Sequence, residues 1–159
     1  MSKLDEISKI ARPTMGDSVP LVIFRAFRHF SADYVTKVLG RGAGVVFQNS
    51  GLDLGREAGA MLHRPTLDEY LGEVVRFVRE LKVGHLKPHE LTETTMKFGL
   101  DECITCCGME PRGGMICHFE TGFVAGIVEA YVGKRVRARE TLCGYNGDGI
   151  CEVTIDLSV

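Results

Sequence analysis

The sequence predicts an α+β domain. Helical periodicity fills the first half of the chain, a β-branched segment follows, and one more apolar helix precedes a closing hairpin. Helices grouped first and strands grouped later describe an antiparallel sheet packed on helices, not alternating βαβ units around a parallel one.

Each element has its own signal. Residues 1–19 read as a polar lead-in, with Pro13 and Gly16 breaking any helix begun at Leu4, and residues 20–159 as one domain. From Pro20 to Leu39, Phe24, Phe27, Phe30, Tyr34 and Val38 recur at three and four, the period of an amphipathic helix that Gly40 ends. A second helix is expected from Ala43 to Leu62. Gly51, Gly55 and Gly59 form a smooth ridge along it, suited to close helix packing. Thr66 with Glu69 makes a capping box for a third helix, whose stripe runs Leu67, Tyr70, Leu71, Val74, Val75, Val78 and Leu81, with Gly84 as its stop.

Val83 to Phe98 suggests one or two strands, and 103–114 a loop. A fourth helix spans Met115 to Val132, with Ile116, Phe119, Phe123, Ile127 and Tyr131 on one side, and Gly122 and Gly126 spaced for packing against the sheet. Arg135–Cys143 and Ile150–Leu157 flank Asn146-Gly147-Asp148-Gly149, a hairpin signature, since these turn residues tolerate positive φ.

Composition excludes several function classes. An apolar fraction of 45% and a charged fraction of 25% are ordinary for a soluble domain. A net charge of -2 offers nothing to nucleic acid or to an anionic membrane. The longest dense apolar run, Val19 to Phe24, cannot span a bilayer. Met1 to Ile7 lacks the apolar core of a signal peptide, so a cytoplasmic setting is expected. Six cysteines in a reducing compartment argue for metal, redox chemistry or small buried side chains, not disulfides.

Four residues look like one zinc site: Cys117, Glu140, Cys143 and Cys151. Cys143 and Cys151 flank the hairpin turn, and Cys117 adds a long-range clamp. Glu140 lies three residues before Cys143, so an ideal pleat would send the two to opposite faces; a bulge or an early end to the strand is required. The bland alternative makes the cysteines small core residues and Glu140 a solvated charge. Three thiolates and a carboxylate around a dication leave a formal -2, which Lys134, Arg135, Arg137 or Arg139 could offset. His118, turned about 100° from Cys117 on a helix, reads as a packing residue. Cys103, Cys106 and Cys107 read as partly buried thiols beside the metal, with a second metal or a redox pair as the other options. No nucleotide-binding loop or Ser/His/Asp arrangement is present, and no catalytic residue is assigned.

The residues Cys117-His-Phe-Glu-Thr-Gly122-Phe-Val-Ala-Gly126, Glu140-Thr-Leu-Cys143 and Gly147-Asp-Gly149-Ile-Cys151 resemble the 4-vinyl reductase domain family. Glu102-Cys103-Ile-Thr-Cys106-Cys107-Gly108 is similar to its stand-alone archaeal and bacterial members, the hydrocarbon-binding-protein type. The resemblance implies a twisted antiparallel sheet packed with helices, related to the ligand-binding domains of nitric-oxide sensing and vesicle-tethering proteins. It implies a structural zinc on Cys117, Glu140, Cys143 and Cys151, matching position for position the site of aromatic-responsive regulators, which enclose a small aromatic effector near the metal. The chain departs from them in having no Trp, no ATPase or DNA-binding module within these residues, and an extra cysteine trio. The expected function is a zinc-containing domain that binds or senses a small apolar, aromatic or hydrocarbon molecule as a homodimer. Tyr70, Phe98 and Phe123 are candidates for the cavity lining. The alternatives are a dimeric adaptor related to tethering subunits and a reductase-associated protein of tetrapyrrole metabolism.

Overall fold

A computed structural model describes residues 2–158. Five α-helices and four strands follow in chain order: α1 (Lys3–Ile7), α2 (Leu21–Leu39), α3 (Ala43–Leu62), α4 (Leu67–Glu80), β1 (His85–Leu91), β2 (Thr95–Asp101), α5 (His118–Val132), β3 (Arg137–Leu142) and β4 (Cys151–Asp156). The strands form one antiparallel sheet in the order β1-β2-β4-β3. The α+β class is as the residue patterns describe.

One face of the sheet is sealed by α4 and α5. Along β4 the residues Cys151, Val153 and Ile155 are buried while their alternate neighbours are half-exposed, the period of two that a one-sided core dictates. Phe98 on β2, Tyr70, Val74 and Val78 on α4, and Ile127 on α5 complete that core. The Tyr70 hydroxyl donates to the Ile127 carbonyl at 2.8 Å, and its burial pushes its pKa up to about 12. Tyr70 and Phe98 are thus core residues, not the cavity lining expected of them. Phe123 is partly buried and packs on the same core.

Among the described residues the closest helix packing is between α3 and α5. A Cβ at Gly51 would lie 1.9 Å from the Phe119 carbonyl oxygen, and one at Gly55 2.1 Å from that of Phe123. Reciprocally, Gly122 and Gly126 would meet the Gln48 and Leu52 carbonyls at 1.8 and 2.2 Å. The glycine ridge on α3 therefore faces a second ridge on α5, and Gly122 and Gly126 pack against this helix, not the sheet. In consequence the middle of α5 is buried nearly all round, from Glu120 to Glu129 with little exception, in place of the one-sided stripe expected.

Two further expectations change. The lead-in holds a one-turn helix, capped by the Ser2–Asp5 capping box, whose first amides at Lys3 and Leu4 donate to the Glu57 carboxylate of α3 at 3.2 and 2.7 Å. At the end of α4 the helix stops at Glu80, before Gly84; Leu81 is exposed and Lys82 already has φ 56.

Helix α2 has no buried residue. Its inward side is polar: Arg25 donates to the Ile104 and Cys107 carbonyls at 2.8 and 2.7 Å, Arg28 to Ile116 at 3.3 Å, and His29 lies 3.0 Å from the Thr105 carbonyl. The apolar side faces outward, with Phe27 and Phe30 each 77% exposed and Tyr34 and Val38 above 70%. The amphipathic helix is present, but its apolar face is turned away from the core of its own chain.

Candidate metal centre and adjoining cleft

The cysteines converge where the loop after β2, the start of α5 and the β3–β4 hairpin meet. Cys103 and Cys106 sit on the loop, held by the Ile104 amide on the Val83 carbonyl at 2.8 Å and by the contacts of Arg25. Cys117 is the N-cap residue of α5. Cys143 follows the last residue of β3, and Cys151 opens β4. All five are buried; Cys107 is exposed and lies outside the group.

Register explains how Glu140 joins them. It pairs with Val153, a core-facing position, and the ladder then slips so that Leu142 pairs with Glu152. That irregularity between Glu140 and Leu142 is the bulge the spacing required, and β3 also ends before Cys143. The Glu140 side chain is only 4% exposed. Both of its oxygens accept from the Cys117 main-chain N–H, at 3.2 and 3.0 Å. Burial, then the neighbouring Cys143 thiol, push its pKa up to about 9 against the pull of that amide.

The Cys117 Sγ lies 3.7 Å from those of Cys103 and Cys106, 3.8 Å from Cys151 and 3.9 Å from Cys143. Two thiolates bound about 2.3 Å from one tetrahedral zinc stand about 3.8 Å apart. Two donor groups are therefore compact enough for an ion: Cys103, Cys106, Cys117 and Cys151, and Cys117, Glu140 and Cys143. The four expected positions do not fall in a single group: Cys117 belongs to both, Cys151 to the first, and Glu140 and Cys143 to the second. Cys103 and Cys106, read as bystanders, are members. Hydrogen bonds from Cys106, Cys117 and Cys151 hold Cys103 below the thiol range, while Cys103 and the others hold Cys117 above it. A bound dication favours all of them as thiolates.

The basic run before Glu140 does not serve the site. The Lys134 ammonium donates to the Leu157 carbonyl, Arg135 is exposed, and Arg137 and Arg139 line a separate cleft with Thr154 and Asp156.

A second cleft, of about 560 Å³, lies beside the cysteines. It opens between α2 and α3 and reaches Met115, Ile116 and His118 at the start of α5. Arg28 lines it, stacked over the Phe47 ring at 4.8 Å, with Nη2 3.9 Å from Oε2 of the buried Glu120. The Thr105 hydroxyl donates to the other Glu120 oxygen. Burial raises the Glu120 pKa despite Thr105 and Arg28. Arg28 Nε and Glu120 Oε2 are buried without a hydrogen-bond partner among the described residues. Sequence reading missed this pair, although a glutamate set in the otherwise apolar run from Phe119 to Val128 was a visible signal. His118 also lines the cleft, its Nδ1 3.9 Å from Glu140, and burial followed by the Arg28 charge lowers its pKa.

The family model of the 4-vinyl reductase domain matches residues 96–157, which contain every residue of the cysteine centre. An uncharacterized protein of Methanocaldococcus jannaschii is 33% identical over 147 residues, covering 91% of this chain and 79% of the relative. The chain belongs to the 4-vinyl reductase domain family. A second uncharacterized protein of that organism matches this family member at 33% over 85 residues, 54% of the chain and 52% of the relative.

Solved structures share the fold of this 4-vinyl reductase domain at low identity. The phenol-responsive sensory domain of the transcription activator PoxR, with phenol, superposes with a TM-score of 0.68 at 15% identity, over 89% of this chain and 76% of that one. Subunit 3 of the trafficking protein particle complex from Naegleria fowleri, covalently bound to palmitic acid, gives 0.64 at 13%, over 88% and 98%. A vinyl-4-reductase family protein from M. jannaschii gives 0.60 at 19%, over 91% and 85%. Among the described residues, no helix is long and apolar enough to cross a membrane.

Proposed function

We propose that this 4-vinyl reductase domain binds a small molecule, apolar or aromatic in its body with one polar end, in the cleft between α2 and α3. The observation that carries the reading is the unpartnered, buried Nε of Arg28, which lines that cleft. Buried polar atoms are nearly always paired, so an orphan in a cleft points to a missing ligand or water. The volume of about 560 Å³ lies within the range of small-molecule sites, and Phe47, Met115 and Ile116 offer apolar walls. Two structural neighbours were solved with molecules of this kind, phenol and palmitic acid.

Zinc on Cys117, Glu140, Cys143 and Cys151 is the proposed support for the cleft wall. All four positions would be filled by protein, which is the mark of a structural site. Such an ion ties the start of α5 to the β3–β4 hairpin. A reducing, cytoplasmic setting suits these thiols.

The outward stripe of α2 is the proposed homodimer surface. Ile23, Phe27, Phe30 and Tyr34 recur at four, three and four on one helix face, a spacing that packs well on another helix of the same kind. The same stripe favours a second reading, a dimeric adaptor with no ligand, as in a tethering subunit.

Native mass spectrometry of protein purified from its own host separates the two. A co-purifying small molecule, lost in Arg28→Met, is the expected result. A ligand-free dimer that carries a protein partner would favour the adaptor.

A further inference from the structure

We propose that the five buried cysteines and Glu140 form a two-ion site, in which Cys117 and Cys151 bridge one zinc-like dication held by Glu140 and Cys143 and a second held by Cys103 and Cys106. This rests on the structural-metal reading above and adds an ion that the four-ligand site does not contain.

Cys117 has more potential co-ligands than one tetrahedral ion can use. A ligand of a single tetrahedral ion has three co-ligands. Cys117 Sγ has four sulfur neighbours between 3.7 and 3.9 Å, each near the tetrahedral edge, and its residue also binds Glu140 through the main chain. One ion can use only part of that set. Sharing Cys117 and Cys151 between two ions uses all six residues: Cys103, Cys106, Cys117 and Cys151 form one compact group and Cys117, Glu140 and Cys143 the other, which Cys151 would join from its place 3.8 Å from Cys117. The donor atoms of each compact group lie within 4.8 Å of one another, tighter than thiolates that must surround a cluster of several irons and sulfides.

Charge points the same way. Fully ionised, as metal ligands are, five thiolates and a carboxylate would carry a formal -6; one dication would leave -4 and two would leave -2. The basic side chains before Glu140 point elsewhere, so the donors are neutralised by protons or by bound cations, and each cation that binds displaces protons. Bridging also accounts for where the extra cysteines come from. The loop that carries Cys103 and Cys106 is clamped by Arg25 and His29 of α2, so the second ion would fasten the cleft's other wall to the centre.

The full chain, purified anaerobically after growth with zinc, is assayed by elemental analysis and native mass spectrometry. Two ions per wild-type chain are expected, falling to one in the double variant Cys103→Ser/Cys106→Ser. Cadmium-113 loaded into the wild type should give two resonances, each split by the other through the bridging sulfurs, a readout that does not depend on any variant folding. One ion per wild-type chain and a single unsplit resonance, with that ion retained in Cys103→Ser/Cys106→Ser and lost in Cys143→Ser, overturns the two-ion site and leaves the four-ligand site intact. No ion in the wild type after growth with zinc overturns both.

Discussion

The main-chain N–H of Cys117 is held by both carboxylate oxygens of Glu140, 23 residues further along the chain. This one contact joins the N-terminus of α5 to a bulged edge strand and brings a thiol and a carboxylate to the same point. It also separates two roles of Glu140, acceptor for a buried amide and proposed metal ligand.

Glu140→Leu removes both roles, whereas Glu140→Gln keeps an acceptor oxygen. An unpaired buried N–H costs about 1–3 kcal/mol. With the metal chelated, Glu140→Leu should be less stable than Glu140→Gln by about that amount in chemical denaturation. With zinc supplied, both should bind it more weakly than the wild type. Equal stability of the two variants under chelation would show that the amide contact contributes nothing.

The facing glycine ridges make a paired prediction. Gly55→Ala would place a methyl 2.1 Å from the Phe123 carbonyl oxygen, so α3 and α5 must separate. Overpacking of this kind costs about 1–3 kcal/mol, and the upper end applies because backbone, not a flexible side chain, stands in the way. Gly72→Ala on α4 meets open space and should stabilise by about 0.5–1 kcal/mol through helix propensity. Thermal unfolding of the two variants should move in opposite directions.

The outward stripe predicts that Phe27→Glu/Phe30→Glu changes assembly more than folding. Both rings are 77% exposed within one chain, so the charges meet water in the monomer and an apolar surface only in a dimer. Sedimentation should show the variant as a folded monomer against a wild-type dimer. Loss of helical circular dichroism instead would place the stripe in a core.

Glu120 predicts a pH dependence. Its folded-state pKa is raised, by burial first, so its contribution to stability is complete below the ordinary glutamate pKa of about 4.3 and is lost as pH rises toward the folded value. Glu120→Gln cannot ionise and keeps an acceptor for Thr105. As pH rises above about 4.3 its unfolding midpoint should fall less than that of the wild type. Parallel curves would show that Glu120 does not titrate in this way.

Much of this architecture was legible in the residues. Gly40 and the Ala43–Leu62 period bounded two helices, and the Asn146–Gly149 turn with the Glu140–Cys143 spacing implied both the hairpin and its bulge. Periodicity reports that a helix has an apolar face, not what covers it, so the outward turn of α2 could not be read from Phe27 and Phe30. Cys103 and Cys106 were visible as a pair, but a loop has no fixed side-chain period, and only the fold brings them to within 3.7 Å of Cys117. Tyr70 and Phe98 failed as cavity residues for a related reason: an aromatic on a core-facing position fills a core and lines a cavity with the same sequence signature.

The decisive measurement for the proposed metal centre is zinc-edge X-ray absorption of the purified protein. Zinc in a mainly sulfur shell at about 2.3 Å is expected, with a minor oxygen contribution at about 2.0–2.2 Å from Glu140. A shell of nitrogen and oxygen alone, or protein that holds no zinc after purification in its presence, would contradict it.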